Sequence, residues 1–262
     1  MTSPLSPIDT AKFVAAKRAS LLVEPGMKVG LGTGSTAAWL VRALGERQRD
    51  EGLRFRATAT SSRTAALARD CGIEVIALDE AGWLDLTIDG ADEFDGTLQL
   101  IKGGGGALLQ EKIVATASDR MVVIADAAKE VETLGAFPLP VEVVRFGWRT
   151  TMALIGELLV GLDVMGRETA LRMHGDAPLV TDEGHHIIDL YLGRIGNPRQ
   201  LALVLNQIPG VVETGLFIDI CDAVVIGHAD GRVELRDPAA GAQEQMRFEV
   251  AGADNIFTEV SD

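Results

Sequence analysis

Between residues 9 and 22 the apolar positions recur at helical spacing, and Pro25-Gly26 ends the pattern. The next stretch, MKVGLGTGSTAAWLVRALGE, reads as a strand over 27–31, a glycine turn, and a helix opening near Ser35. The alternation then repeats. A strand over 55–60 leads through TSSRT into another helix, IEVIAL predicts a third strand, and residues 84–88 a fourth, with Asp89 just past its end. A helix starting near Ala107 and a fifth strand, MVVIAD, complete the series. Strands alternating with helices bury a parallel sheet beneath helices on both faces.

Past Pro138-Leu139-Pro140 the texture changes. VEVVRF predicts a strand and residues 150–160 a helix, while ALRM, LVTD and HIIDLYL read as short strands. NPRQLALVLNQIPG is a helix with Pro198 near its start, and VVETGLF makes one more strand. That order fits a split βαβ sandwich. The expected fold class is therefore α/β, a Rossmann-like parallel sheet domain with an inserted smaller α+β (ferredoxin-like) domain. The insertion falls at 137–216, flanked by the α/β domain over 1–136 and 217–262. DAVVIG and RVELRD return the chain to the first sheet, and the polar tail after about residue 238 has no assignment.

Charge narrows the range of functions. The chain has 38 acidic against 24 basic residues, a net −14, which argues against a nucleic-acid partner. Cys71 and Cys221 lack metal or disulfide spacing and read as small core residues. MTSPLSPID has no signal-peptide pattern, and no run of 18 apolar residues is present. The expectation is a soluble, cytoplasmic protein without a membrane partner.

Three segments carry chemistry. GLGTGST stands between a strand and a helix, where N–H groups at a helix N-terminus favour an anion. No third glycine and no ribose-binding acid follow, so a small phosphate suits it better than a dinucleotide. Capping is the plainer reading of its hydroxyls, as it is for TSSRT. IDGADEFD places Asp89, Asp92 and Glu93 within one turn, open to a metal site, an acid/base cluster or an ordinary acidic loop. The third segment, KGGGGALLQEKI, brings Lys102 and bare backbone close behind that loop. From a helix starting near Ala107, Glu111 aims back at the glycines, whereas Lys112 points about 100° away toward expected solvent. A phosphate cradle, a poised carboxylate, a lysine and N–H donors together suit proton abstraction beside a carbonyl.

In this order and spacing, the segments GLGTGST, TSSRT, IDGADEFD and KGGGGALLQEKI closely resemble the ribose-5-phosphate isomerases of the A type. The resemblance continues through VVIADAAK, FPLPVEV, VTDEGHHIIDL and IPGVVETGLF, spanning roughly residues 9–227. It implies interconversion of ribose 5-phosphate and ribulose 5-phosphate through a cis-enediol, without metal or organic cofactor. It implies Glu111 as the general base, Lys102 and Asp89 assisting at substrate oxygens, and Asp92 completing the hydroxyl-binding loop. Thr33, Gly34, Ser35 and Thr36 are then expected to line the substrate site, with Gly90 and Ala91 and with Gly103, Gly104 and Gly105. Lys129 and Lys12 are expected to bind substrate, and the protein to form a homodimer or homotetramer. Two positions depart from the family pattern: Ala128 stands where a serine is frequent, and Gln110 where arginine is frequent. The four histidines have no role in this reading.

Overall fold

A computed structural model of the chain describes residues 5–249; the ends of the sequence, including the tail from residue 250, lie outside the described residues. Ser6 opens helix α1 (Pro7–Ser20), its hydroxyl accepting the Asp9 N–H at 3.1 Å, with Pro7 where no donor is needed. The alternation follows as β1 (Lys28–Leu31), α2 (Ser35–Asp50), β2 (Arg56–Ala59), α3 (Ser62–Asp70), β3 (Glu74–Val75) and the short α4 (Leu78–Ala81). Next come β4 (Leu86–Gly90), β5 (Glu93–Phe94), β6 (Leu100–Ile101), α5 (Leu108–Thr116) and β7 (Met121–Asp126), closed by a 3-10 turn at Ala127–Lys129. The following segment holds β8 (Leu139–Val143), α6 (Trp148–Leu159), β9 (Glu168–Leu171), β10 (Met173–His174), β11 (Ala177–Pro178), β12 (His186–Tyr191) and α7 (Pro198–Leu205). The chain ends with β13 (Val211–Thr214), β14 (Leu216–Phe217), β15 (Ala223–Gly227), β16 (Arg232–Asp237) and β17 (Ala242–Arg247).

The main sheet runs β17-β16-β15-β7-β4-β1-β2-β3, parallel from β15 to β3 and antiparallel at β16 and β17. From β1 the chain winds one way to β2 and β3, and the other way to β4, β7 and β15. The crevice at the carboxyl ends of β1 and β4 is thus the switch point where open α/β sheets take ligands. Period-two alternation fills both faces. Val122 and Ile124 of β7 join the cluster under α1 and α2, whereas Met121, Val123 and Ala125 face Phe94, Leu100 and Phe217. These strands are buried throughout, as a doubly covered sheet requires.

A separate antiparallel sheet, β13-β8-β12-β9, carries α6 and α7 in the expected split βαβ order. Val141, Val143, Ile188 and Leu190 pack on Ile155, Leu159, Leu201 and Leu205 of those helices. Each such buried aliphatic side chain contributes roughly 1.5–3 kcal/mol.

Several elements differ from their sequence reading. IEVIAL pairs only at Glu74–Val75, because β3 is the sheet edge and the chain turns into α4 after Ile76 N–H reaches Ala57 O. The fourth strand runs to Gly90, since Asp89 still pairs with Val123 of β7; Leu84 makes only an isolated bridge. LVTD is not a strand: β10 and β11 form the hairpin, and Thr181 instead closes a turn with His185. VVETGLF splits between two sheets at Gly215, where an added Cβ would meet Lys102 O at 2.2 Å. Within the unassigned tail, β17 adds to the sheet edge along β16. Cys71 and Cys221 are half-buried at the margins of the core rather than within it.

Candidate active site

Asp89 reaches the switch-point crevice as the penultimate residue of β4, fully buried. The neighbouring chain at Gly32 makes room for it: a Cβ there would lie 1.8 Å from Asp89 Oδ1. That same Oδ1 accepts N–H groups from Thr33 at 3.1 Å and Gly90 at 2.7 Å. The first glycines of GLGTGST therefore serve strand packing and the carboxylate.

Lys102 follows β6, and its backbone N–H is tied to Gly215 O at 2.9 Å. Its Nζ lies 2.9 Å from Asp89 Oδ2 and 3.1 Å from Glu111 Oε2, and donates to Gly90 O at 2.6 Å. Glu111 sits in the first turn of α5, aimed back at the glycine loop. All three groups are almost wholly buried, with Lys102 at 2%, Asp89 at 0% and Glu111 at 3% exposure. Neither Asp89 Oδ2 nor Glu111 Oε2 meets hydrogen-bond geometry with a donor among the described residues.

The charges bias one another. Burial, and then the neighbouring Asp89 charge, push Glu111 up to about 8, against the opposing pull of Lys102. Burial also raises Asp89, although Lys102 and two backbone N–H groups favour its ionised form. Burial lowers Lys102, but Asp89 and Glu111 outweigh it and hold the ammonium charged well above its ordinary range. The result is a fixed cation, a buried Asp89 that accepts two backbone N–H groups and contacts that cation, and a Glu111 able to change protonation near neutral pH.

Lys102 and Glu111 line a cleft of about 140 Å³, below the roughly 300–1,000 Å³ of drug-sized ligand sites and suited to a small metabolite. Thr33, Gly34, Ser35 and Thr36 line it at the start of α2, where no acidic side chain occupies the first turn and Gly34 offers no side-chain cap. That helix end is open to an anion. Gly90, Ala91 and Asp92 line the cleft from β4, and Gly103, Gly104 and Gly105 from the glycine loop. Lys12, from α1, and Lys129, after β7, add cations to the same lining. The structure thus brings every residue expected in the site to the lining of one cleft except Asp89, which lies buried behind it against Lys102. None of the four histidines lines it.

Other readings change. Asp92 accepts Gly104 N–H at 2.7 Å, and Glu93 is turned away, binding Gly135 N–H at 2.7 Å and Phe137 N–H. The three carboxylates diverge, and no group of three potential metal ligands occurs among the described residues. Thr60, Ser61 and Thr64 stand behind the cleft: Ser61 caps α3, and all three hydroxyls surround Thr33 Oγ1. Lys112 is not solvated; its Nζ binds Glu213 at 2.7 Å and Thr214 O at 2.6 Å, above the Phe217 ring. Its partners come from β13, packed on α5, a hundred residues further along. Gln110 bonds Glu183 rather than Glu111, and Ala128 donates its N–H to Asp126. Arg172, which no motif marked, donates to the carbonyls of Gly103 and Gly104.

Comparison with known proteins gives a consistent answer. Residues 56–231 match the family model for ribose 5-phosphate isomerase A (phosphoriboisomerase A). The chain is 71% identical over its full length, and that of the relative, to ribose-5-phosphate isomerase A of Ruegeria pomeroyi. Ribose 5-phosphate isomerase A from Methanocaldococcus jannaschii superposes with a TM-score of 0.78 at 37% identity, covering 92% of this chain and 99% of that one. A D-ribose-5-phosphate isomerase in complex with phospho-erythronic acid gives 0.79 at 35% identity, with the same coverage. The match of family model, full-length relatives and fold means that this chain belongs to the ribose 5-phosphate isomerase A family.

Proposed function

We propose that the protein interconverts D-ribose 5-phosphate and D-ribulose 5-phosphate through a cis-enediol(ate). The observation that carries this reading is buried Lys102 held between Asp89 and Glu111 in a cleft that is also lined by an uncapped helix N-terminus and by Lys12 and Lys129. Glu111 removes the proton from C2 of the open-chain aldose. The electron pair forms the C1–C2 double bond, and charge moves to the C1 oxygen. Lys102 and the glycine-loop N–H groups stabilise that oxygen. A proton is added there, the C2 hydroxyl loses its own, and Glu111 returns its proton to C1, giving the ketose. Asp89 and Lys102 assist ring opening at substrate oxygens, and Asp92 meets a hydroxyl. The α2 N-terminus with Lys12 and Lys129 receives the phosphate.

The relatives named for ribose 5-phosphate support the substrate, as does the phospho-erythronic acid complex of one of them, a short hydroxylated chain with a phosphate and a carboxylate. In this reading 137–216 is an inserted unit between 1–136 and 217–262, and the protein acts as a homodimer or homotetramer, which analytical sedimentation reports. The test of function is conversion of ribose 5-phosphate by purified protein treated with EDTA, with arabinose 5-phosphate as competitor. Absence of ribulose 5-phosphate in that assay overturns the proposal.

A pH dependence follows from Glu111. The base works ionised, and its group lies up at about 8 in the free protein. Thus kcat/KM is expected to rise tenfold per pH unit below that value and to level off above it. A flat profile between pH 6 and 8 removes Glu111 from the role of base.

A further inference from the structure

The antiparallel sheet has a second face, and it bears on the glycine loop. Along β8 and β12, Pro140, Glu142, Ile187 and Asp189 alternate with the residues packed on α6 and α7. A Cβ on Gly103 would lie 3.2 Å from Pro140 Cγ, and one on Gly106 would lie 3.8 Å from Ile187 Cδ1, so this face roofs the loop. Arg172, between β9 and β10, is gripped there by Asp189: Nε donates to Oδ2 at 2.9 Å and Nη2 to Oδ1 at 2.5 Å. The remaining nitrogen, Nη1, donates to Gly103 O at 2.7 Å and Gly104 O at 3.1 Å.

A trans peptide points its C=O and the following N–H in opposite directions. Drawing the carbonyls of Gly103 and Gly104 toward Arg172 therefore turns the N–H groups of Gly104 and Gly105 the other way. The first meets Asp92 Oδ2 at 2.7 Å, and the second belongs to a residue of the cleft lining. Glycine backbone adopts many conformations, so the loop itself does little to hold these planes. A Cβ could not supply the restraint at Gly104, where it would lie 2.6 Å from Asp92 Oδ1. Orientation has to come from outside the loop.

We propose that Arg172, fixed by Asp189, is a positioning residue that holds two peptide planes of the loop, keeping the Gly104 N–H on Asp92 and turning the Gly105 N–H toward the substrate cleft. This rests on the isomerase reading for the identity of the substrate. The planar fork suits the task, because one guanidinium binds both carboxylate oxygens and both carbonyls, which an ammonium cannot do.

The experiment uses the full chain and three variants: Arg172→Met, Arg172→Lys and Asp189→Asn. It measures kcat and KM for ribose 5-phosphate, Tm, and amide hydrogen exchange of residues 103–106 without substrate. Arg172→Met is expected to lower kcat by about 10- to 100-fold, the scale of a misaligned oxyanion donor, with a smaller change in KM and faster exchange in the loop. Arg172→Lys is expected to recover Tm without recovering kcat. If Arg172→Met fails to fold, the other two variants carry the same readouts, with Asp189→Asn expected to lower kcat and speed loop exchange. Wild-type kcat and loop exchange in the variants, or kcat restored together with Tm by lysine, overturn the proposal and leave Arg172 as an anchor of the sheet. If wild-type protein does not isomerise ribose 5-phosphate, the functional reading fails by itself, and loop exchange alone decides the role of Arg172.

Discussion

Glu111→Gln is expected to lower kcat by roughly 10²- to 10⁴-fold, the contribution of a positioned general base, while ribose 5-phosphate still binds. The substitution is nearly isosteric at a position only 3% exposed, so it opens no cavity. With Glu111 pushed up to about 8, the wild-type side chain is mainly protonated at neutral pH, and glutamine copies that state. The amide oxygen can still face Lys102, whose Nζ lies 3.1 Å from Oε2. Folding should therefore be kept while the chemical step is lost. Calorimetric titration with ribose 5-phosphate separates the two, and exchange of the substrate C2 proton into D2O reports the abstraction directly. Near-wild-type kcat would falsify the assignment of Glu111 even with the isomerase activity intact.

Much of this site was legible because its parts are local. Asp89 follows an apolar strand, Lys102 precedes a run of glycines that no ordinary element tolerates, and Glu111 lies one turn into a helix whose start the glycines mark. Each inference needed only a few neighbouring residues, and the observed strand order puts those strand ends together. What could not be read depended on distant chain. Glu93 looked like a third member of the acidic cluster, but its partners are the N–H groups of Gly135 and Phe137, more than forty residues away. Lys112 looked solvated because nothing nearby in sequence revealed Glu213 and Phe217. Arg172 carries no motif, and its importance rests on carbonyls 68 and 69 residues before it.

The same distinction applies to the fold. Continuous apolar runs identified β7 and β15, which are buried on both faces. The two-residue strands β5, β6 and β14 had no such signal, because they exist only by pairing with one another. That small sheet nevertheless sets the position of Lys102, whose backbone continues from β6 and meets Gly215 just before β14. The legible motif supplies the groups proposed to react, and illegible pairings fix where they stand.

Lys102→Met is expected to depress kcat/KM by at least about 10²- to 10³-fold, the effect of losing a donor at a developing oxyanion. The loss has a second component. Asp89 and Glu111 both contact the same ammonium, and without it two buried carboxyls face each other with no cation between them. Removing one partner from such a group costs roughly 3–5 kcal/mol when the charges left behind remain ionised. Protonation relieves that cost, so the affinities of both carboxyls for protons rise beyond their already raised wild-type values. A carboxyl raised in this way destabilises the folded state progressively as pH climbs through the unfolded pKa toward the folded one. Wild-type Glu111, already up at about 8, undergoes this between its ordinary value and that one, so its contribution to the stability difference between Lys102→Met and wild type should be flat below about pH 8 and widen above it. Denaturation at a series of pH values reads the first effect, and the pH profile of residual activity, displaced to the alkaline side, reads the second. A variant with wild-type turnover, or a stability loss independent of pH, would mean that Lys102 is not the charge that holds Asp89 and Glu111 together.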